Sequence, residues 1–102
     1  MDQLPDIFKA LGDTIRLKIM QMLAEQGEIC VCKVQEALGM GQSAVSHHMA
    51  VLRRARLLIS RREGQKIFYR INAEVFTGSL MPWTSGILDL LALEPAGSPD
   101  CD

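Results

Sequence analysis

Gln42-Ser-Ala-Val-Ser-His-His-Met-Ala-Val-Leu-Arg-Arg-Ala55 carries the strongest structural signal in the chain. Val45, Met49 and Leu52 recur at i, i+4 and i+7, which is the apolar stripe of an amphipathic helix. Ser43, Ser46, His47, Ala50, Arg53 and Arg54 fall on the other side. That side is small and hydrogen-bonding at its start and cationic at its end. Such a face suits a DNA major groove, because short polar side chains reach base edges and Arg reaches phosphates. An ordinary solvated face is the competing reading of this helix taken alone. The flanking segments decide between the two.

Upstream, Gly39-Met-Gly41 predicts a tight turn, preceded by a short helix from Cys32 to Leu38. A short helix, a glycine-containing turn and a longer helix make a helix-turn-helix. Downstream, Leu57 to Ile71 alternates as two strands around Glu63-Gly64-Gln65, with Gly64 free to take positive φ. The expected architecture is a winged helix-turn-helix, mainly α with a small β-hairpin. The candidate DNA-contacting side chains are Gln42, Ser43, Ser46, His47, His48 and Arg53 on the helix, and Arg61, Arg62, Gln65 and Lys66 on the wing.

Charge supports this assignment. The net charge of −1 hides three unequal segments. Residues 1–52 carry 4 basic and 6 acidic groups, residues 53–70 carry 7 basic and 1 acidic, and residues 71–102 carry 5 acidic and no basic groups. The middle segment is the electrostatic footprint of a phosphate binder. A salt-bridged strand pair would also explain the cations, but the segment has few acidic partners nearby in sequence.

Residues 4–11 read as a short helix, with Pro5 in its first turn and Ile7, Phe8 and Leu11 on one face. Asp13 caps a second helix that ends near Gln26-Gly27, and Glu28 to Val31 reads as extended. A last helical region spans about Asn72 to Leu93, with an interruption expected from Gly78 and a break before Pro82. Between Ile87 and Leu93 only Asp89 is polar, so burial on more than one side is expected. A domain this small cannot bury such a helix alone. A two-fold homodimer through the first and last helices is the simple solution, with packing under residues 1–11 as the alternative. Residues 1–93 thus read as one DNA-binding and dimerisation domain, and 94–102 as a flexible tail. The acidic start shows no secretory signal and the longest uncharged run is too short to span a bilayer, so the expected location is cytoplasmic, with no membrane partner.

Three cysteines in a reducing compartment do not suggest a disulfide framework. Cys30 and Cys32 stand where an extended segment enters a helix, and the positive end of a helix favours thiolates. Paired thiolates prefer soft ions: trivalent arsenic or antimony, lead, cadmium or zinc. Two inert buried cysteines are the bland alternative. Positions i and i+2 lie about 200° apart on a helix and on opposite faces of a strand. A chelate therefore has to form in irregular backbone or unwind the start of the helix. That helix supports the recognition helix, so binding would couple to DNA affinity, and reciprocally.

Phe8-Lys-Ala-Leu-Gly-Asp-Thr-Ile-Arg16, Gly27-Glu-Ile-Cys-Val-Cys32, Ser43 to Leu52 and Gly64-Gln-Lys-Ile-Phe-Tyr-Arg70 together resemble the ArsR/SmtB family of bacterial metal-responsive repressors. Cys30-Val-Cys32 resembles the arsenical and cadmium/lead branches, and Met81 to Asp89 resembles the arsenical one. The resemblance implies a cytoplasmic bacterial homodimer that binds operator double-stranded DNA without any cofactor and releases it on binding As(III) or Sb(III), with Cd(II) or Pb(II) as alternatives. It places His47 at a base-contacting position beside Ser43 and Ser46, and gives His48 a positional or phosphate-contacting role. Gln35 stands where arsenical repressors often carry a third cysteine, which leaves Cys101, solvent or a small thiol as the third donor. Arg56 replaces the glycine usual after the recognition helix. No histidine lies on the last helix for a zinc site of the kind found in the zinc branch.

Two other classes stand against this reading. A redox switch on the same fold would use Cys30 and Cys32, or one of them with Cys101, the latter being less strained. A thiol or metallo-enzyme would need converging groups, yet His47 and His48 diverge by about 100° on a helix. No Ser/His/Asp set or carboxylate pair converges by any readable spacing, so the chain is not expected to be an enzyme.

Overall fold

The computed structural model describes residues 3–93. The elements run α1 (Leu4–Leu11), α2 (Thr14–Gln26), β1 (Ile29–Cys30), α3 (Val31–Leu38), α4 (Gln42–Arg54), β2 (Leu58–Glu63), β3 (Lys66–Ile71), α5 (Ala73–Val75), a π-helical turn (Phe76–Leu80) and α6 (Met81–Leu93). This is a winged helix-turn-helix: α3 and α4 form the motif, and β2 and β3 form the wing. The core is one cluster that includes Ile7, Ile19, Leu23, Val34, Val45, Met49, Leu52 and Leu57. Val45, Met49 and Leu52 are fully buried, so the stripe read from α4 is its inner face. Truncating a fully buried leucine such as Leu52 to alanine costs about 2–5 kcal/mol where the cavity cannot collapse.

Local chemistry explains the boundaries. Asp13 accepts from the Arg16 backbone N–H at 3.1 Å and caps α2. Gly39 ends α3 at φ 64°, a left-handed value that glycine adopts without strain. Gly64, at φ 63°, takes the first central position of the two-residue hairpin turn.

The end of α4 is less regular in sequence than in structure. Arg56 itself adopts the left-handed conformation at φ 67°. Its N–H donates to Arg53 O at 2.9 Å and the Leu57 N–H donates to Leu52 O at 3.0 Å. These two bonds form a Schellman cap, and Asn72 Nδ2 holds the Arg56 carbonyl at 2.9 Å. A β-carbon in this conformation costs about 1–2 kcal/mol, partly offset in a glycine by its greater freedom when unfolded. Arg56→Gly is therefore expected to stabilise the chain by about 0.5–1 kcal/mol in denaturant unfolding. An unchanged or lower midpoint at constant slope would show that the cap carries no strain.

Two expectations are revised. The extended segment before α3 is a third strand: β1 pairs antiparallel with β3, with Ile29 opposite Tyr69 and Cys30 opposite Phe68, giving the order β1-β3-β2. The last helical region does not break before Pro82. It runs through a π-turn in which the Met81 N–H reaches back five residues to Phe76 O. Pro82 lacks an N–H, and its ring would strike the carbonyl four residues earlier in a regular helix. The wider turn relieves that conflict without ending the helix. α6 itself has no buried residue in the single chain: Leu88, Leu90, Leu91 and Leu93 are 59–81% exposed. Its link to α1 is an edge-to-face contact between Trp83 and Phe8, with ring centroids 5.2 Å apart. Burial under residues 1–11 is thus not what the single chain shows. No helix among the described residues is long and apolar enough to cross a membrane.

Candidate nucleic-acid interface and thiol pair

α4 presents Gln42, Ser43, Ser46, His47 and Arg53 to solvent, opposite its buried stripe. The wing exposes Arg61, Arg62, Gln65 and Lys66. Between them lies a cleft of about 370 Å³ lined by Ala50, Arg53, Ser60, Arg62 and Tyr69 among others. A phosphate strand passing along α4 would meet cations on both sides of it. Of the basic segment read from sequence, Arg53, Arg61 and Arg62 line this cleft, while Arg54 and Arg56 line a separate one beside Gln3 and Asp6.

Two of the expected contacts sit differently. Arg61 is engaged by acids: its Nε lies 2.9 Å from both Glu28 carboxylate oxygens and its Nη2 lies 2.8 Å from Oε1. Glu63 approaches Arg61 at 3.6 Å, and the guanidinium stacks 4.7 Å from the Phe68 ring centroid. The Arg61 hydrogen bond holds the Glu28 carboxyl below its usual range. The acidic partner missing from the local sequence comes from the α2–β1 junction, while Arg61 stays about half exposed and lines the cleft beside α4. His48 is the other: its Nδ1 lies 3.1 Å from Arg16 Nη1 and 3.9 Å from Asp13 Oδ2. The His48 side chain is only 16% exposed. Neither Glu28 nor Arg16 stood out in the sequence. Arg16, three residues beyond its cap residue Asp13, had a readable local signal; Glu28 had none.

The two cysteines flank a change of backbone geometry. Cys30 is the last residue of β1 and the N-cap of α3, with extended backbone, and its Sγ accepts from the Cys32 N–H at 3.4 Å. The boundary between strand and helix thus falls between the two cysteines and supplies the irregular backbone that a chelate needs. Cys30 is buried and Cys32 exposed. A hydrogen bond from the Cys32 thiol holds the Cys30 thiol below its ordinary value, helped by the Cys32 backbone N–H and by Lys66. The same contact pushes the Cys32 thiol up. Of the two thiols, Cys30 is therefore the more readily ionised. Among the described residues no group of three His, Cys, Asp or Glu side chains converges to hold a metal. Cys101, the suggested third donor, lies outside the described residues, as does the rest of 94–102.

These features have counterparts in known proteins. The model of the arsR family of bacterial regulatory proteins matches residues 13–60, from the cap of α2 into the wing. The arsenic resistance transcriptional regulator ArsR1 of Pseudomonas putida is 42% identical over 71 residues, covering 70% of this chain and 56% of that protein. The chain therefore spans little more than half the length of that relative. The arsenical resistance operon repressor of Escherichia coli is 37% identical over 83 residues, 81% of this chain and 67% of that one. A homodimeric winged helix-turn-helix DNA-binding domain from Mycobacterium bovis superposes with TM-score 0.65 at 30% identity, covering 99% of this chain and 88% of that one. These relatives are transcriptional regulators and a DNA-binding domain, not enzymes. With the family model spanning the α2 cap to the start of the wing, and a relative 37% identical over 81% of this sequence, the chain belongs to the arsR family of bacterial regulatory proteins.

Proposed function

We propose that this chain is a homodimeric repressor that binds operator double-stranded DNA through α4 and the wing, and leaves it when a soft thiophilic ion, As(III) or Sb(III) above all, bridges Cys30 and Cys32. The observation that carries the reading is the thiol pair at the N-terminus of α3, the first helix of the DNA-reading motif. The exposed serine, histidine and arginine face of α4 supports DNA contact. The arsenical relatives support the choice of ion.

Two sulfurs fit a soft ion, and the hard oxygen donors that would favour calcium or magnesium do not converge there. A third donor comes from Cys101, a small thiol or solvent. Covalent bridging fixes the Sγ–Sγ separation and removes the hydrogen bond that now caps α3. Because Cys30 is also paired with β3, the strain reaches both α3 and the wing. Loss of DNA affinity follows if the bridged form favours a different setting of α3.

Dimerisation rests on α6, whose apolar residues are uncovered in the single chain, and on the homodimeric state of the M. bovis domain. A second copy packed across α1 and α6 would cover Phe8, Trp83 and the leucines of α6 together. An isologous interface also relates the two recognition helices by a two-fold axis, the symmetry of a palindromic operator.

The test is a titration of the purified protein on a duplex recovered by the wild-type chain from a random library. Arsenite, antimonite, cadmium, lead and zinc are added separately to wild type and to Cys101→Ser, and release is read by fluorescence anisotropy. Release by arsenite or antimonite at micromolar dose supports the reading. Release only by a mild oxidant, with a mass change of two protons, would replace it with the redox reading. An unchanged dose for Cys101→Ser would assign the third position to solvent or a small thiol.

A separate expectation concerns the wing. Glu28→Gln removes the carboxylate that occupies Arg61 and frees one cation for the phosphate backbone. The slope of log K against log salt is expected to steepen by about 0.9, the value of one extra phosphate contact. An unaltered slope would mean that Arg61 stays on Phe68 and Glu63 when DNA is present.

A further inference from the structure

Neither the DNA-facing surface nor the thiol pair accounts for Arg16, yet it touches three helices. Its Nε donates to the carbonyl of Ala10, in the last turn of α1, at 2.6 Å. Its Nη1 lies 3.1 Å from Nδ1 of His48 on α4. Its own backbone N–H donates to the Asp13 carboxylate at the start of α2. The Ala10 carbonyl is among the last four of α1, which have no partner inside the helix. The guanidinium satisfies it and sets a cation at the negative end of the helix dipole.

The chemistry of the fork is directional. A guanidinium only donates, so His48 Nδ1 accepts and the ring carries its proton on Nε2. His48 sits at the edge of the buried stripe of α4, one residue from the exposed His47. Successive helical residues lie about 100° apart, so the orientation of His48 fixes that of His47. The apolar contacts of Val45, Met49 and Leu52 are non-directional and tolerate a small roll of α4 about its axis. A hydrogen bond from a rigid guanidinium anchored on α1 does not.

We infer that Arg16 is a positioning residue for base reading: by bridging Ala10 O on α1 and His48 Nδ1 on α4 it sets the roll of α4, and so the direction in which Ser43, Ser46 and His47 meet the bases. The inference rests on α4 being the DNA-reading helix. It also gives a structural task to the Phe8–Arg16 segment. Gly12 and Asp13 end one helix and cap the next, which brings Arg16 back against the C-terminus of α1. Lysine cannot replace the fork, because a single ammonium does not present two coplanar donors at fixed spacing.

The test compares Arg16→Lys, His48→Leu and their double variant on the library-selected duplex and on a random-sequence duplex of equal length. The ratio of the two affinities is expected to fall about tenfold for each single variant and no further for the double. The salt slope is expected to stay within about one unit of wild type, since no phosphate contact is removed. His48→Asn, which keeps an acceptor near the position of Nδ1, is expected to recover most of the ratio. Should Arg16→Lys fail to fold, His48→Leu against His48→Asn carries the comparison, because both leave the α2 cap and the Ala10 bond intact. An equal loss on both duplexes, additive single effects or an unchanged ratio would overturn the inference. If wild type shows no preference for the selected duplex, it is the DNA-reading assignment of α4 that fails.

Discussion

Cys32→Ser is expected to bind the selected duplex within about threefold of wild type and to need at least about a hundredfold more arsenite for release. Serine preserves size and the α3 backbone, and the capping sulfur of Cys30 remains in place. What it removes is the second soft donor, and a hydroxyl is neither soft nor readily ionised. A coupling of 1–3 kcal/mol corresponds to about 5- to 150-fold in DNA affinity, and one remaining sulfur has no chelate with which to generate it. Release of Cys32→Ser at the wild-type dose would show that the effector site lies elsewhere. Cys30→Ser is a more complex variant, because Cys30 is buried, caps α3 and is laddered to β3. Serine is itself a good cap, so that variant should fold. It too should lose the response, and agreement between the two variants would assign the effect to the pair.

Leu88→Glu combined with Leu91→Glu is expected to leave a folded monomer that binds the same duplex at least about a hundredfold more weakly. Both side chains are about 60% exposed in the single chain, so nothing in the protomer core depends on them. In a dimer they would be buried, and each carboxylate would then be desolvated beside its copy, at a cost of several kcal/mol. A monomer contacts one half-site only and loses the gain from linking two. Sedimentation equilibrium reads the mass and anisotropy reads the affinity. A dimer that persists in the double variant would place the interface on another face, and the uncovered leucines of α6 would need a different partner.

The legible parts of this protein are those set by near neighbours in the chain. The stripe Val45, Met49, Leu52 predicted the inner face of α4 because a helix repeats every 3.6 residues whatever packs on it. Asp13, Gly39 and Gly64 marked their boundaries because capping and positive φ are local requirements. The exposed positions on α4 followed from the same geometry. Cys30 and Cys32 stand where an extended segment enters a helix, as their sequence context predicts: β1 ends at Cys30 and α3 begins at Val31.

The remaining features depend on residues distant in sequence. Glu28 meets Arg61 across 33 positions, and Arg16 meets His48 across 32. The first pairing gives Arg61 an acidic partner from the α2–β1 junction, and the second ties His48 of α4 to α2. Composition and periodicity, by themselves, determined that this chain builds a winged helix with a cationic segment and a thiol pair near its first reading helix. Long-range packing settled which side chains are paired, Arg61 with Glu28 and His48 with Arg16. Helix period and caps are written in covalent spacing, while charge pairing depends on which surfaces the collapsed core brings within about 4 Å.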